Sequence, residues 1–490
     1  MRNLTIIFLL LSKTIFASFD MNDRMQKTYT HIINLEFDAA KQLISLEQTN
    51  NPSNGFIQLH ENYIDFLTVL IGEDYAYFEK TENQKAIRID LLEDNDENSP
   101  YYLYSQAEIH LQWAFARLKF EDYITAAYEF VKAYYLLEEN SELYPDFVLN
   151  KKGLGLLHSL IGAVPDQYNW ILNLAGLQGS IDLGLSELNI VLDAAETEMY
   201  QNEVLFLVSF LQINLTNNNE LCQGYLDRIG EKYTNNYLLN FAAARLSYNL
   251  GQNDLTLQIL ENHPSTINKY PFHYLDYLFG MSYLYKLEYE KSEQYFNRFL
   301  NNFKGNNYIK SAYHKLALTA ELQYNSETKI IYFEKAIHEG STSIDEDKVA
   351  LKDAKQNYIT HPILLKGRLL YDGGYYLLAL AELQQIENPH YFSIASNHIE
   401  YWYRLARIKA KLNVTYLDII SNYQKAFSLG KETSTYFAPM SALQIGLIYE
   451  KQNDTKQAAI YFEKCLTLSN FDYERGIHQK AKAGIERLKN

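Results

Sequence analysis

The chain has 490 residues, a formal net charge of −16 and an apolar content of 47%. Nucleic acids bind clustered Lys and Arg, so an acidic chain argues against a nucleic-acid partner. Nine prolines and 21 glycines are few for this length, which favours long helices over disorder. Cys222 and Cys465 are too far apart in sequence to indicate a disulfide scaffold or a metal-ligand motif, and Cys465 is predicted to be a buried small hydrophobe.

The first residues have the pattern of a secretory signal peptide. Arg2 supplies a basic start, an apolar run follows over residues 4–11, and Ala17 is a small residue suited to cleavage. We therefore predict a signal peptide over residues 1–17 and export to the periplasm. Lys13 interrupts the apolar stretch, so a cytoplasmic chain is the alternative. Nowhere else are there 18 consecutive apolar residues, so no membrane-spanning helix is predicted.

Residues 18–200 are predicted to form an N-terminal helical region. Apolar residues recur with helical spacing over residues 32–46 and 63–78. One helical hairpin follows, in which Ala114 and Ala126 are the small residues and Phe130 is the large one.

A glycine-rich segment, residues 153–184, closes this region and contains six of the 21 glycines. It predicts two helices packed very closely, the second beginning at Pro165-Asp166. The alternative is an elbow that the backbone of a ligand or partner approaches closely.

Residues 201–490 carry a repeated pattern. A small residue is followed twelve positions later by another small residue, and four positions after that by a large one, as in Gly446, Ala458 and Phe462. The other copies centre on Ala244, Gly280, Ala317, Gly367 and Ala406. Twelve residues separate the points of closest approach in two antiparallel helices joined by a short turn, and small residues there let the backbones meet. The pattern therefore predicts an all-α fold of antiparallel helical hairpins.

The copies are irregularly spaced, between 36 and 50 residues apart. The longest gap begins after the Ala317 copy and contains a polar stretch that follows Gly340. We predict one extra helix there, over residues 345–358.

This code of small and large residues resembles the tetratricopeptide repeat (TPR), most clearly at residues 446–465 and 280–299. The resemblance implies a right-handed superhelix, an α-solenoid that binds other proteins. The chain departs from the family in its longer spacing and in lacking proline after most second helices. Residues 157–165 and 369–376 have a weaker similarity to the eukaryotic inclusion-body-clearance group of TPR proteins.

The same resemblance implies binding residues, because the first helices of TPR hairpins line a concave groove. The candidates are Tyr277, Tyr285, His361, Arg368, Tyr371, Tyr403 and Arg407. Aromatic rings alternating with Arg suit a peptide or a carboxylate-bearing segment. The alternative is that these tyrosines pack on one another and that the arginines pair with nearby acids.

No catalytic, metal or cofactor motif emerges. Gly153 and Gly155 begin like a dinucleotide fingerprint, but His158 stands where the third glycine is needed. We predict a non-enzymatic scaffold that binds other proteins or peptide segments, without a cofactor. The alternative function is a periplasmic or surface protein that binds a glycan or another small ligand, using residues 153–184 and neighbouring aromatics. The sequence does not predict the oligomeric state.

Overall fold

A computed structural model describes residues 19–165, 169–216, 218–389 and 392–489. Within these residues the fold is built from α-helices and short 3-10 helices, with no β-strand, which confirms the predicted all-α class of helical hairpins. The predicted signal peptide lies outside the described residues. No described helix is both long enough and apolar enough to cross a lipid bilayer.

The chain divides into two compact units. The first contains the residues up to 250 together with 254–275 and 302–306, and the second contains 251–253, 276–301 and the residues from 307 onward. The boundary predicted at residue 200 separates sequence with few repeats from sequence rich in them. The division into compact units follows a different property from the distribution of repeats, so the boundary at residue 200 stays a prediction.

The helices that lie wholly or mostly in the first unit fall into two groups. An N-terminal group precedes the first repeat: α1 (Asp23–Ile33), α2 (Phe37–Asn50), α3 (Phe56–Gly72), α4 (Tyr75–Thr81) and α5 (Gln84–Glu93). The hairpin helices follow: α6 (Tyr101–Lys119), α7 (Tyr123–Leu143), α8 (Asn150–Gly162), α9 (Asn169–Leu174), α10 (Ile181–Asp193), α11 (Gln201–Leu215), α12 (Asn219–Ile229), α13 (Tyr237–Asn249) and α14 (Asn253–Glu261). Two 3-10 helices, Ala195–Tyr200 and Gly230–Thr234, precede α11 and α13.

The second unit continues the hairpins to the C-terminus. Its helices are α15 (Tyr274–Tyr285), α16 (Tyr289–Asn302), α17 (Ile309–Leu322), α18 (Ser326–His338), α19 (Asp345–Gln356), α20 (Pro362–Asp372), α21 (Tyr376–Gln384), α22 (Ala395–Lys411), α23 (Tyr416–Gly430), α24 (Phe437–Lys451), α25 (Thr455–Leu466) and α26 (Glu474–Arg487). The extra helix predicted at 345–358 is confirmed as α19.

The predicted packing code holds the hairpins of the second unit together. A Cβ placed on Gly280 would lie 2.8 Å from the ring of Phe296, and a Cβ on Gly446 would lie 2.6 Å from the ring of Phe462. The Ser292 hydroxyl also donates a hydrogen bond to the carbonyl oxygen of Gly280, at 2.8 Å. The small residues therefore make room for the large residue of the second helix, as the sequence predicts.

Two departures from the code are compensated by polar contacts. Thr256, which replaces the usual Ala, shares a 2.9 Å hydrogen bond with Ser247 inside the α13–α14 hairpin. Lys329, at the equivalent position of α18, reaches Glu321 with its ammonium 2.9 Å from the carboxylate. Each hairpin keeps its form because the larger side chain finds a partner instead of an apolar contact.

The glycine-rich segment brings α8 and α10 into backbone contact. A Cβ on Gly155 would lie 2.7 Å from the carbonyl oxygen of Gly184, and a Cβ on Gly179 would lie 2.7 Å from the His158 backbone. This confirms the prediction of two closely packed helices. The second of them begins at Ile181, capped by the Ser180 hydroxyl, and not near Pro165 as predicted. Asp166 lies outside the described residues.

The N-terminal patterns are interrupted where the sequence predicted continuous helices. The stretch 32–46 turns at Leu35, with φ of 61°, and the stretch 63–78 turns at Glu73, with φ of 49°. Apolar spacing alone does not mark these left-handed residues. The prediction for Cys465 is confirmed, since the side chain is fully buried and burial raises the pKa of its thiol to about 12.

Candidate functional site

Three arginines from two neighbouring helices line one small cleft in the second unit. Its lining residues, which we call the arginine cleft, are Gly367, Arg368 and Tyr371 of α20 and Arg404, Arg407 and Ile408 of α22. The space beside these side chains is about 140 Å³, part of which is open solvent. Positive side chains therefore dominate a concave surface in a chain whose net charge is negative.

Local sequence fixes the position of each helix in the cleft. α20 starts with Pro362, and the His361 side chain caps it by accepting a hydrogen bond from the backbone N–H of Ile363. Gly367 sits at the close contact with α21, where an added Cβ would be 3.0 Å from Leu383. Arg368 is the next residue, so the hairpin packing sets the direction from which it enters the cleft.

Arg404 is held by a buried carboxylate. Its guanidinium Nε donates to Glu400 Oε1 at 2.5 Å, one turn earlier on α22, and both side chains are buried. The Thr360 hydroxyl donates to the other oxygen of Glu400 at 2.7 Å. Burial by itself would lower the pKa of Arg404, but the Glu400 charge outweighs it and holds the pKa above its ordinary value. Arg404 is thus a fixed cation.

Arg407 is positioned by aromatic rings. Its guanidinium carbon lies 4.1 Å from the ring centroid of Tyr371 and 5.7 Å from that of Tyr403. Burial would lower the pKa of Arg407, but the two phenols and Asp372 hold it above its ordinary value. The stacking leaves the edge of the guanidinium, which carries the N–H donors, able to face a ligand.

Arg368 and Arg407 form no ion pair with any described residue, in contrast to Arg404. A further cation, Lys315 of α17, lies close to Arg368. Burial lowers the pKa of Lys315 to about 8, and the charge of Arg368 adds to this lowering. The charges of Asp353 and Asp372 oppose this lowering of the Lys315 pKa.

The structure therefore brings four of the predicted residues together, namely Arg368, Tyr371, Tyr403 and Arg407. Tyr403 is buried and supports Arg407 from behind. His361 lies at the start of α20, where its ring makes an edge contact with Phe392, at 5.3 Å between centroids.

The other two predicted residues lie outside the cleft. Tyr277 is 4% exposed and shares a 2.8 Å hydrogen bond with Ser311. Tyr285 is half-buried, with its Cβ close to Gly373. Their roles in binding stay predictions.

Sequence reasoning missed Arg404 and Lys315. A signal for both exists, because each stands two residues before the small residue of its first helix, Ala406 and Ala317 respectively. Arg368 and Arg407 likewise each follow the small residue directly. Among the six copies of residues 201–490, however, only Lys315 and Arg404 are basic at the first position, and only Arg245, Arg368 and Arg407 at the second.

The first unit contains a contrasting polar cluster, buried and built around Lys152. We call Lys152, Glu108, Glu203, Tyr29 and Tyr63 the lysine centre. The ammonium of Lys152 lies 2.8 Å from Glu108, 2.9 Å from Glu203 and 2.7 Å from the hydroxyl of Tyr63. The Tyr29 hydroxyl donates to Glu203 at 2.5 Å. These groups come from α1, α3, α6, α8 and α11, so the centre ties together five helices.

The lysine centre sets one ammonium against two carboxylates. Burial would lower the pKa of Lys152, but Glu108 and Glu203 outweigh it and hold the pKa above its usual value. Burial raises the pKa of Glu108, against the opposing effect of the ammonium. Lys152 is only 2% exposed, so its ammonium is not accessible to a partner. No described group of three or more His, Cys, Asp or Glu side chains is arranged to hold a metal ion.

Comparison with known proteins adds little beyond this geometry. No protein-family model matches the chain, and no curated protein matches it. Among solved structures the chain is similar to the TPR domain of P58(IPK), with 13% identity over 88% of this chain and 98% of that chain. The TM-score is 0.22, so the two chains do not superpose as wholes. The description of the hairpins as TPR-like rests on the packing contacts within each of them.

Proposed function

We propose that this chain is a non-enzymatic interaction scaffold whose arginine cleft binds a carboxylate-bearing segment of a partner protein. The observation that carries the proposal is that Arg368 and Arg407 lie in one cleft without an ion pair to any described residue. The chain has 60 acidic and 44 basic residues, so carboxylates are plentiful. Two guanidiniums that none of them pairs with are suited to a carboxylate from outside.

The chemistry of the cleft matches such a ligand. A guanidinium presents parallel N–H donors that fit the two oxygens of a carboxylate, which gives both strength and orientation. The stacking of Arg407 on Tyr371 fixes one donor plane before binding, which reduces the entropy lost on association. Arg404 contributes a fixed positive charge, although Glu400 already occupies some of its donors.

The open shape of the cleft favours a protein segment over an enclosed small ligand. Small-molecule sites are usually deep clefts or cavities of about 300–1,000 Å³, whereas this cleft is a shallow feature partly open to solvent. The glycines proposed for the glycan-binding alternative, Gly155 and Gly184, are in contact with each other across α8 and α10. Both observations support a protein partner that places a carboxylate against the cleft while the rest of its segment lies across the helices.

Charge reversal in the cleft tests this proposal. We expect Arg368→Glu/Arg407→Glu to lose partners that the wild-type chain recovers from an extract of its native host. The matched control is Lys480→Glu/Lys482→Glu on the exposed face of α26, which changes the net charge equally. Equal recovery by the wild type and the cleft variant would overturn the cleft as the binding site.

A second arm identifies the chemistry of the ligand. Once a partner is recovered, synthetic segments of it can be compared with forms in which each carboxylate is converted to an amide. We expect one amide conversion to weaken binding to the wild-type chain but to leave binding to the cleft variant unchanged. Full binding by every amidated form would contradict recognition of a carboxylate.

We further infer from residues 1–17 that the scaffold is exported. N-terminal sequencing of the mature protein tests this point. A mature chain that begins at Ser18 supports export, whereas one that retains the leader supports a cytoplasmic location. The result does not bear on the arginine cleft, so the two proposals can fail independently.

A further inference from the structure

The outer face of α7 carries a stripe of large apolar side chains that no described residue covers. Ile124, Tyr128 and Tyr135 stand four and then seven residues apart, so they lie on one face of the helix. Leu143 continues this stripe at the C-terminal end. All four side chains are well exposed, although helices of folded domains normally turn apolar stripes toward the core.

Helix α9 extends the stripe sideways. The Tyr135 hydroxyl donates a hydrogen bond to the carbonyl oxygen of Ala175, just after the end of α9. The adjacent Leu174 and, one turn earlier, Trp170 are exposed as well. We call Ile124, Tyr128, Tyr135, Leu143, Trp170 and Leu174 the α7 patch.

The area of the α7 patch is that of a protein interface. Its six side chains are between 49% and 88% exposed. If a large side chain presents about 200 Å² in full, the patch exposes on the order of 800 Å². This exceeds the largest apolar patch of a typical monomer, about 300–600 Å², and matches the roughly 800 Å² that each partner buries in a stable complex.

Two charged residues on the same face indicate which molecule covers the α7 patch. Lys132 and Glu139 are exposed, stand two helical turns apart and form no ion pair with a described residue. In a two-fold symmetric contact, residue i of one copy meets residue j of the other, and the reverse pair forms automatically. An antiparallel pairing of two α7 helices that places Lys132 against Glu139 thus forms two ion pairs. The same register sets Tyr135 beside Tyr135 and Tyr128 beside Leu143.

We propose that the α7 patch is a self-association surface on which a second copy of this chain packs its own α7 antiparallel. A membrane surface fits the patch less well, since the carboxylates of Glu139 and Glu142 on the same face would repel anionic lipids. An unrelated apolar partner would leave Lys132 and Glu139 unpaired. The second copy accounts for both the apolar area and the spacing of the charges.

A charge-swap experiment on the full chain tests the proposal. Sedimentation equilibrium should give twice the 57.1 kDa chain mass for the wild type. Lys132→Glu and Glu139→Lys should each raise the dissociation constant about tenfold, the effect expected from two lost surface ion pairs. The double variant Lys132→Glu/Glu139→Lys should restore the wild-type constant, a recovery that misfolding of a single variant cannot imitate.

An apolar variant and its control complete the test. Tyr128→Glu should make the chain monomeric, whereas Leu417→Glu, at an equally exposed leucine of α23 in the second unit, should leave the mass unchanged. A wild-type chain that is monomeric at every concentration would overturn the proposal. A dimer whose dissociation constant is unchanged by the α7 variants would also overturn it, as would a double variant that dimerises no more tightly than the single ones. A monomer that binds lipid vesicles through Tyr128 would overturn it as well.

Discussion

The lysine centre of the first unit and the arginine cleft of the second use cations in opposite ways. Lys152 is surrounded by Glu108 and Glu203, which lie within 3 Å of its ammonium. Arg407 stacks on Tyr371 and Arg368 lies near Lys315. Asp372 and Asp353 lie in the same neighbourhood, but neither arginine forms an ion pair with a described residue. The ammonium of Lys152 therefore serves the fold, whereas the guanidiniums of Arg368 and Arg407 are the groups that we propose to bind a partner.

The difference has a structural origin in the N-terminal helices. Tyr29 of α1 and Tyr63 of α3 reach the carboxylates of Glu203 and Glu108, which stand on α11 and α6. These two helices complete the lysine centre and contribute to its burial. Among the described residues the arginine cleft is lined by α20 and α22, and its Arg368 and Arg407 are only half-buried.

Removing the buried ammonium should have the largest effect on stability. Lys152→Met leaves two carboxylates without their counter-charge, and we expect a loss of about 3–5 kcal/mol in the free energy of unfolding. Chemical denaturation of the two proteins measures this difference. Lys151→Met, the next residue on the same helix and half-buried, is the matched control and should change stability by less than about 0.5 kcal/mol. Equal values for the two variants would mean that the centre does not hold the unit together.

The contact between α8 and α10 should be the next most sensitive point. A Cβ on Gly184 would lie 2.2 Å from the carbonyl oxygen of Gly155, and a helix backbone cannot move aside as a side chain can. We expect Gly184→Ala to cost about 1–3 kcal/mol. Thermal unfolding of the variant measures the loss, and an unchanged midpoint would contradict the close approach of the two helices.

The control for that substitution should have the opposite sign. Gly224 lies within α12, and a Cβ placed there would meet nothing within 4 Å. Gly224→Ala should therefore stabilise the chain by up to about 1 kcal/mol, because alanine favours the helix. In the second unit, Gly446→Ala faces the ring of Phe462. That ring can shift, so we expect a smaller loss than at Gly184.

The hairpins could be predicted because their packing depends on residues that are close together in the sequence. Gly280 and Phe296 stand sixteen residues apart, and the contact between them depends only on two helices and a turn. The same holds for Gly446 and Phe462. The sequence alone thus identifies the first and second helices over most of the second unit, and the spacing of the repeats revealed the extra helix α19.

The lysine centre could not be predicted in this way. Tyr29 and Glu203 are 174 residues apart, and nothing in the sequence near Lys152 distinguishes it from a surface lysine. The arginine cleft was predicted only in part, since three of the seven predicted residues line it and Tyr403 supports Arg407 from behind. The buried pair of Arg404 and Glu400 has the i, i+4 spacing of a helical ion pair, so Arg404 could have been recognised from the sequence.

Acid should weaken the first unit through His60. Neither ring nitrogen of this buried residue has a hydrogen-bond partner among the described residues, and burial lowers its pKa to about 3. The unfolded chain, with an ordinary pKa near 6.5, binds the proton more tightly. Stability present above about pH 6.5 is therefore lost as the pH falls toward 3, with about 1.4 kcal/mol lost by pH 5.5.

The variant His60→Leu isolates this effect. Wild type should lose about 1.4 kcal/mol more than the variant when chemical denaturation at pH 7.5 is repeated at pH 5.5. In the second unit, the pKa of buried His314 is lowered to about 4 by burial, although Asp353 lies 3.3 Å from its ring. His314 changes the pH dependence of wild type and variant equally, so its effect cancels in the difference between them. Parallel losses in wild type and variant would show that His60 accepts a proton in the folded state.

The smallest effect on stability is expected in the arginine cleft. It tests whether the cations of the cleft, unlike Lys152, are dispensable for folding. Arg368 makes no ion pair with a described residue, so Arg368→Met should change the free energy of unfolding by less than about 0.5 kcal/mol. Arg407→Met loses the stacking on Tyr371 and should cost up to about 1 kcal/mol. Chemical denaturation beside Lys152→Met measures both. If Arg368→Met lowered the free energy of unfolding as much as Lys152→Met, Arg368 would be a structural cation like Lys152. The proposal that the cleft binds an external carboxylate would then be contradicted.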